Sequence, residues 1–226
     1  MSENRKLKVG LVFDDSLDST DGVAQYVKTL GSWLSGQGHA VCYLVGQTKL
    51  ESWQGGRVYS LAKNQTVYFN GNKLSIPLPA NQKRLKRVLG VEKFDVLHVM
   101  MPHSPFLAQR IIKHASSQTT VVGTFHIFPA SKLAELGGRV LRLAYFNNLR
   151  RFDAVVSVSP VAQNYARKTF RIESQVVPNP VDVARFAKKN SNFINGRVVF
   201  LGRLVQRKGC NQLLKAFALL SKDPFP

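Results

Sequence analysis

Acidic side chains are scarce in this chain. Its 226 residues hold 13 Asp and Glu against 32 Lys and Arg, a net charge of +19. Such an excess predicts attraction to anionic partners: nucleic acid, an acidic membrane surface or a phosphorylated substrate. Cysteine is nearly absent as well. Cys42 and Cys210 stand far apart and have no neighbours at metal-ligand spacing. That excludes a disulfide-built scaffold and a cysteine zinc site, and predicts ordinary reduced thiols in a cytosolic protein. No apolar run approaches the ~20 residues of a membrane span. The start, Met1 to Lys6, is polar, and the apolar run after it breaks at Asp14-Asp15, which is not the pattern of a signal peptide. The first turn lacks G-x-G-x-x-G, which disfavours a dinucleotide site. No helix-turn-helix, RNA-binding aromatic motif or zinc spacing appears, so nucleic-acid binding would rest on charge alone. What is present is enough apolar side chain for a core, 44% of the residues.

The order of elements predicts an α/β fold. Leu7 to Phe13 is an apolar run and the first strand. Asp14 to Asp21 is a polar loop with Ser19, Thr20 and Asp21 as candidate caps. Gly22 opens a helix with Val23, Val27, Leu30 and Leu34 on one face, ending among Gly36 and Gly38. Ala40 to Val45 is the second strand. A βαβ opening predicts a parallel sheet. Small strands or a hairpin follow between Trp53 and Pro79, with turns at Gly55-Gly56 and Asn70-Gly71. From Pro79 to Gly90 a helix places Leu85, Val88 and Leu89 on one face and Lys83, Arg84, Lys86 and Arg87 on the rest. Two readings stay open for it: a basic helix lying on an anionic membrane, or a solvated helix packed on the sheet.

Phe94 to Met101 is a strand carrying His98. Ser104-Pro105 predicts an N-cap and a first-turn proline for a helix with Leu107, Ala108, Ile111, Ile112 and Ala115 inward. Thr120 to Phe125 is a strand that ends at His126. Ligands of open α/β sheets collect at the carboxyl ends of strands, so His126 is assigned a functional role and His98, inside its strand, a structural one. Arg139 to Arg151 predicts a helix with several arginines and no acidic counterweight. Asp153 to Val158 is a strand, Ser159-Pro160 starts another helix, and Ser174 to Val177 is a short strand stopped by Pro178. Residues 181–195 are polar and linker-like, which places one domain at 1–180 and the beginning of a second at 196–226.

That second part opens with Val198 to Leu201, an apolar run short enough for a buried strand. Gly202, Arg203, Arg207, Lys208 and Gly209 follow, and then a helix with Leu213, Leu214, Phe217 and Leu220. A strand, a glycine-bounded basic loop and a helix N-terminus suit a diphosphate. A plain basic loop between two core elements fits this segment equally well.

The ordered set of motifs is more specific than any one of them. The glycine-opened first helix, Phe94-Asp-Val-Leu-His98, Gly123-Thr-Phe-His126, Ser157-Val-Ser159, Pro178-Asn-Pro-Val-Asp182 and Phe200-Leu-Gly-Arg203 with Lys208-Gly209 follow one another along nearly the whole chain. In this the chain resembles the retaining GT-B glycosyltransferases of family 4, and among them the phosphatidylinositol mannosyltransferase group. The resemblance implies two Rossmann-like domains, the first holding the acceptor and the second a nucleotide-diphosphate sugar. It implies that Arg203 and Lys208 neutralise the diphosphate, with Gly202 in the same loop. His126 would lie beside the transferred sugar, and the backbone at Gly22 would approach the reacting centre. It also implies that Lys83, Arg84, Lys86 and Arg87 meet anionic lipid. The expected partners are a nucleotide sugar and a lipid-linked or membrane-proximal acceptor, with no specific nucleic acid. The expected location is the cytoplasm, peripherally on the inner face of the membrane. Metal use stays open between none and Mg2+.

Two departures qualify the resemblance. Pro180 stands where the family's Pro-Asn-Gly-Val-Asp motif has glycine. The family's downstream Glu-x7-Glu segment is absent, and a full second domain would need on the order of 100–150 more residues. The expectation is a C-terminally truncated chain, inactive or nearly so by itself. Two other readings stand beside the enzyme: a basic nucleic-acid-binding module, and a fragment that docks on membranes without catalysis.

Overall fold

The computed structural model describes the chain except for residues 1–4, 70, 71, 79, 127–131, 187–195, 203, 205 and 221–226. At 66–69, 72–77, 132–134, 185, 186 and 207 it describes the backbone only. The chain divides into two compact units: residues 1–66 with 75–182, and residues 67–74 with 183–226.

The first unit is built on a mostly parallel sheet. Its strands are β1 (Lys8–Phe13), β2 (Ala40–Val45), β3 (Ser52–Trp53), β4 (Gly56–Ser60), and, after the hairpin strands β5 (Asn64–Phe69) and β6 (Asn72–Pro77), β7 (Val96–Met100), β8 (Thr120–Phe125), β9 (Ala154–Ser157) and β10 (Gln175–Val176). They lie in the order β10-β9-β8-β7-β1-β2-β4-β3, parallel except for β3 on β4. The order reverses at β1, as in the doubly wound nucleotide-binding folds. Both faces of the central strands are covered, so their sequences are near-continuous apolar runs rather than alternations. Leu11, Val12, Tyr43, Leu44, Val45 and Val99 are fully buried.

Helices close the faces: α1 (Gly22–Gly36), α2 (Gln82–Glu92), α3 (Leu107–His114), α4 (Lys132–Ala144), α5 (Phe146–Leu149) and α6 (Pro160–Tyr165), the last continuing as a π-helical turn over Ala166–Phe170. Asp21 caps α1 and Ser159 caps α6, the latter with Pro160 in its first turn, as the sequence predicts. Leu85 and Val88 of α2 are buried in the core against the sheet, and Lys83, Arg84, Lys86 and Arg87 face solvent. Of the two readings of α2, packing on the sheet takes its apolar face. Only its charge is left for a partner.

Three expectations need correction. Ser104 does not cap α3: the helix starts at Leu107 without a side-chain cap on its own N-cap residue, and the Ser104 hydroxyl donates to Asp14 instead. The amide of Ala108 donates to Asp14 at 2.8 Å, so the carboxylate after β1 does the work expected of the serine. The helix expected from Arg139 begins at Lys132. In the second unit, Val198 to Leu201 forms no strand, and Leu201 is 96% exposed. A strand needs neighbours for its N–H and C=O groups, and among the described residues none lies beside it. The helix expected after the basic loop does form, α8 (Cys210–Leu220), following the short helix α7 (Val183–Phe186). None of its side chains is buried. The Asn70-Gly71 turn lies outside the described residues.

Candidate active site

The register of the sheet brings the carboxyl ends of β1, β7 and β8 side by side. After β1 comes Asp14. It is half-buried and accepts from neutral donors, the Ser104 hydroxyl and the amides at the start of α3. Burial pushes its pKa up to about 6, against the pull of those hydrogen bonds. Farther along the same loop, Asp21 accepts from the amides of Val23 at 2.8 Å and Ala24 at 3.0 Å. Ser19 donates its hydroxyl to the other carboxyl oxygen at 2.5 Å. The free amides of the α1 N-terminus, an anion site in principle, are therefore already taken by the chain's own carboxylate. What Gly22 offers is room: a Cβ there would meet no atom within 4 Å. A ligand can approach the backbone at that point.

From the first turns of α1, Tyr26 reaches over the ends of β7 and β8. Its ring stands edge-on to His126, with centroids 4.7 Å apart, and farther off to His98, at 6.3 Å. The Tyr26 hydroxyl is hydrogen-bonded to Thr124, whose Oγ1 lies 2.6 Å from Nε2 of His98. The second histidine nitrogen in the group, Nε2 of His126, lies 3.4 Å from the Met100 sulfur. Burial pushes both histidines down to about 4. The neighbouring His126 lowers His98 further, and Asp21 partly offsets the effect on His126. At neutral pH both rings are uncharged. Each carries one N–H donor and one acceptor nitrogen, a chemistry suited to hydroxyl groups rather than to ion pairing.

A third histidine lies behind this layer. His103 is buried, stacked on Phe125 with centroids 5.5 Å apart and ringed by Tyr165 and Phe170, and its Nδ1 has no hydrogen-bond partner among the described residues. Burial holds it at about 4.

Of the other expected site residues, Gly202 and Lys208 belong to the second unit. Lys208 ends a 3-10 turn, Gln206–Lys208, and is exposed. Gly209 follows with φ +79°, a left-handed conformation that favours glycine, and its amide closes the turn on Gln206 at 3.1 Å. The Lys208 stem passes 3.9 Å from where a Cβ on Gly202 would be. Arg203 lies outside the described residues. Lys83, Arg84, Lys86 and Arg87 sit on α2, and Lys86 acts with Arg110 and Lys113 to lower the pKa of His114, so α2 and α3 share one basic surface. Sequence reasoning missed Tyr26, Thr124 and Asp14. Asp14 carried a signal, a carboxylate placed directly after a buried strand. Among the described residues, no three His, Cys, Asp or Glu side chains converge as a metal site.

Comparison with known proteins places this geometry. The profile for Glycosyltransferase Family 4 matches residues 20–185. A phosphatidyl-myo-inositol mannosyltransferase of Mycolicibacterium smegmatis is 28% identical, over 95% of this chain and 55% of its own length. The protein of that name from Propionibacterium freudenreichii subsp. shermanii is 28% identical, over 95% of this chain and 58% of its own. The chain thus spans about half the length of the curated relatives it matches. Among solved structures, MurG of Acinetobacter baumannii aligns with a TM-score of 0.47 and 16% identity, over 76% of this chain and 45% of that one.

Proposed function

The chain belongs to glycosyltransferase family 4, and from that membership we propose that it is the acceptor-side part, with the beginning of the donor-side part, of a retaining sugar transferase. The transferred group is a hexose, mannose by relation to the mycobacterial enzymes. The donor is a nucleotide-diphosphate sugar, and the acceptor is lipid-linked or otherwise close to a membrane. Transfer is proposed for a protein of the relatives' length. The observation that carries the reading is the pairing of His126 with Tyr26 at the carboxyl end of the sheet, within the stretch that the family profile matches.

The chemistry follows from the groups present. Cleavage of the sugar–phosphate bond leaves positive charge on the sugar and negative charge on the departing diphosphate. In this reading Arg203 and Lys208, in the glycine-bounded loop with Gly202, take up the charge on the leaving group. One preorganised contact of this kind is typically worth about 3–4 kcal/mol. Neutral His126 gives or accepts one hydrogen bond at a hydroxyl of the transferred sugar, and Tyr26 fixes the plane of its ring. The open space at Gly22 admits the reacting groups close to the backbone. The acceptor hydroxyl attacks from the side of the leaving group. Its oxygen bonds to the anomeric carbon, the bond to phosphate breaks, and the hydroxyl proton passes to the departing phosphate oxygen, so configuration is retained.

The basic surface of α2, joined by Arg110 and Lys113 of α3, draws this unit to anionic lipid headgroups, which places an acceptor of that kind within reach. No helix among the described residues is long and apolar enough to cross a membrane. The test is transfer from a nucleotide-diphosphate hexose by a chain extended to the relatives' length, with and without Arg203→Ala and Lys208→Ala together. Turnover should fall by at least about a hundredfold. Unchanged turnover would remove the leaving-group role and with it this mechanism.

A further inference from the structure

Helix α4 is turned with its apolar stripe outward. Its inner face is fixed by close packing: a Cβ on Gly138 would meet Thr169 Cγ2 at 2.7 Å and the Tyr165 hydroxyl at 2.9 Å. Leu141 and Tyr145, three and seven residues on, pack against the same cluster around Phe125 and Phe170. With Gly138, Leu141 and Tyr145 inward, helical spacing sends Leu136, Val140 and Leu143 out. They are 56%, 60% and 70% exposed, and Phe146 at the start of α5 continues the stripe at 53%. An apolar stripe of this length on the surface of a soluble unit marks a contact face.

The charge around the stripe points to its occupant. Residues 132–151 carry five cations and a single acid, Glu135. Arg139 lies within the stripe and pairs with Glu135 at 3.0 Å, and the Arg150 guanidinium lies 5.5 Å from the Phe146 ring. Long aliphatic stems ending in guanidinium, interleaved with Leu, Val and Phe, match the boundary between acyl chains and anionic headgroups. We propose that α4 and α5 form a membrane-insertion face, whose Leu136, Val140, Leu143 and Phe146 enter the interfacial layer of an anionic bilayer while Arg139 and Arg150 hold its headgroups. The two basic helices then divide the task. Helix α2 has spent its apolar face on the core and offers charge alone, whereas α4 supplies the apolar contact that charge alone lacks.

This deepens the membrane part of the function proposed above, and its test needs no sugar donor, so failure of the transferase reading and failure of this face are distinguishable. The chain is sedimented with vesicles of phosphatidylcholine alone and of phosphatidylcholine with phosphatidylglycerol. It should partition onto the anionic vesicles. Val140→Ser with Leu143→Ser should lower the partition coefficient at least about tenfold, with circular dichroism and melting temperature unchanged. The α2 pair Lys86→Gln with Arg87→Gln should produce a smaller loss that added salt erases. The indole introduced by Leu143→Trp should shift its emission to shorter wavelength on vesicles and be quenched by brominated acyl chains. No binding by the unaltered chain, an unchanged partition coefficient for the serine pair, or an indole that stays in water would each overturn the proposal. So would a dimer in light scattering that the serine pair converts to monomer with vesicle binding intact; it would make the stripe a self-association surface.

Discussion

The two ends of the sheet hold their polar groups in opposite ways. At the amino end, Glu92 is 7% exposed and surrounded by partners: the Lys8 ammonium and the Tyr59 hydroxyl contact it directly, Arg57 lies at 3.6 Å and the Cys42 sulfur at 3.8 Å. Arg5 and Asp95 pair at 3.1 Å near it, and Asp95 also accepts from the Lys8 amide at 2.8 Å. At the carboxyl end, Asp14 is half-buried among neutral donors, and burial keeps His98 and His126 uncharged, with His126 lowering His98 further. One end uses charge to tie α2 to the sheet. The other keeps its histidines neutral and raises the pKa of a carboxylate, perturbations common among groups that meet a substrate. A cleft of about 540 Å³ opens at the amino end, lined by Leu89, Lys93, Asp95 and Thr119 among others. Its charged members are already paired or exposed, and no candidate catalytic group faces it.

The largest effect expected from breaking this contrast lies at the amino end. Glu92→Ala leaves Lys8 and Tyr59 without their shared acceptor. It should cost about 3–5 kcal/mol in urea unfolding, as loss of one member of a buried charge cluster does. A loss under about 1 kcal/mol would mean that the cluster is ornamental.

Next comes Asp14. Its folded pKa, about 6, lies above the ordinary 3.8. The fold therefore binds the proton more tightly than the unfolded chain does, and this group's favourable contribution is lost as pH rises from about 4 to 6. Asp14→Asn keeps the acceptor for Ala108. It should remove about 2–3 kcal/mol of that loss, seen as a smaller difference in unfolding free energy between pH 4 and pH 7.

His103 works with the opposite sign and a smaller amplitude. Its folded pKa, about 4, lies below the ordinary 6.5, so the stability it contributes is present above pH 6.5 and lost as pH falls toward 4. His103→Phe fits the aromatic surroundings and removes the unpartnered nitrogen. At pH 5 it should gain about 1–2 kcal/mol relative to its effect at pH 7.5. Equal effects at both pH values would show that the ring takes up its proton as readily in the fold as in the unfolded chain.

Much of the scaffold was legible because its signals are local. The strands β1 and β2 are near-continuous apolar runs, and Asp21 and Ser159 are caps whose chemistry depends only on the next few residues. The misreadings have a shared cause: they concern residues whose partners lie far along the chain. Ser104-Pro105 has the pattern of a cap, but Asp14, ninety residues earlier, takes the hydroxyl. The helix expected from Arg139 begins at Lys132, and Gly138 within it lies close against Tyr165 and Thr169. Val198 to Leu201 has the composition of a buried strand but, among the described residues, no strand beside it. In the candidate site, His126 and Gly22 were reachable through strand ends and motif order. Tyr26 was not, because on a helical wheel it is one more residue of an amphipathic helix, and only the sheet register puts it over His126.

In the proposed transferase, the carboxyl end of the sheet, centred on His126, meets the transferred sugar. The direct measurement is steady-state hexose transfer from a nucleotide-diphosphate sugar to phosphatidylinositol vesicles by a chain extended to the length of the mannosyltransferase relatives, comparing His126→Ala with the unaltered protein. The account predicts a fall in kcat of about a hundredfold with melting temperature and vesicle binding retained. Unchanged kcat in a folded, vesicle-bound protein would contradict it.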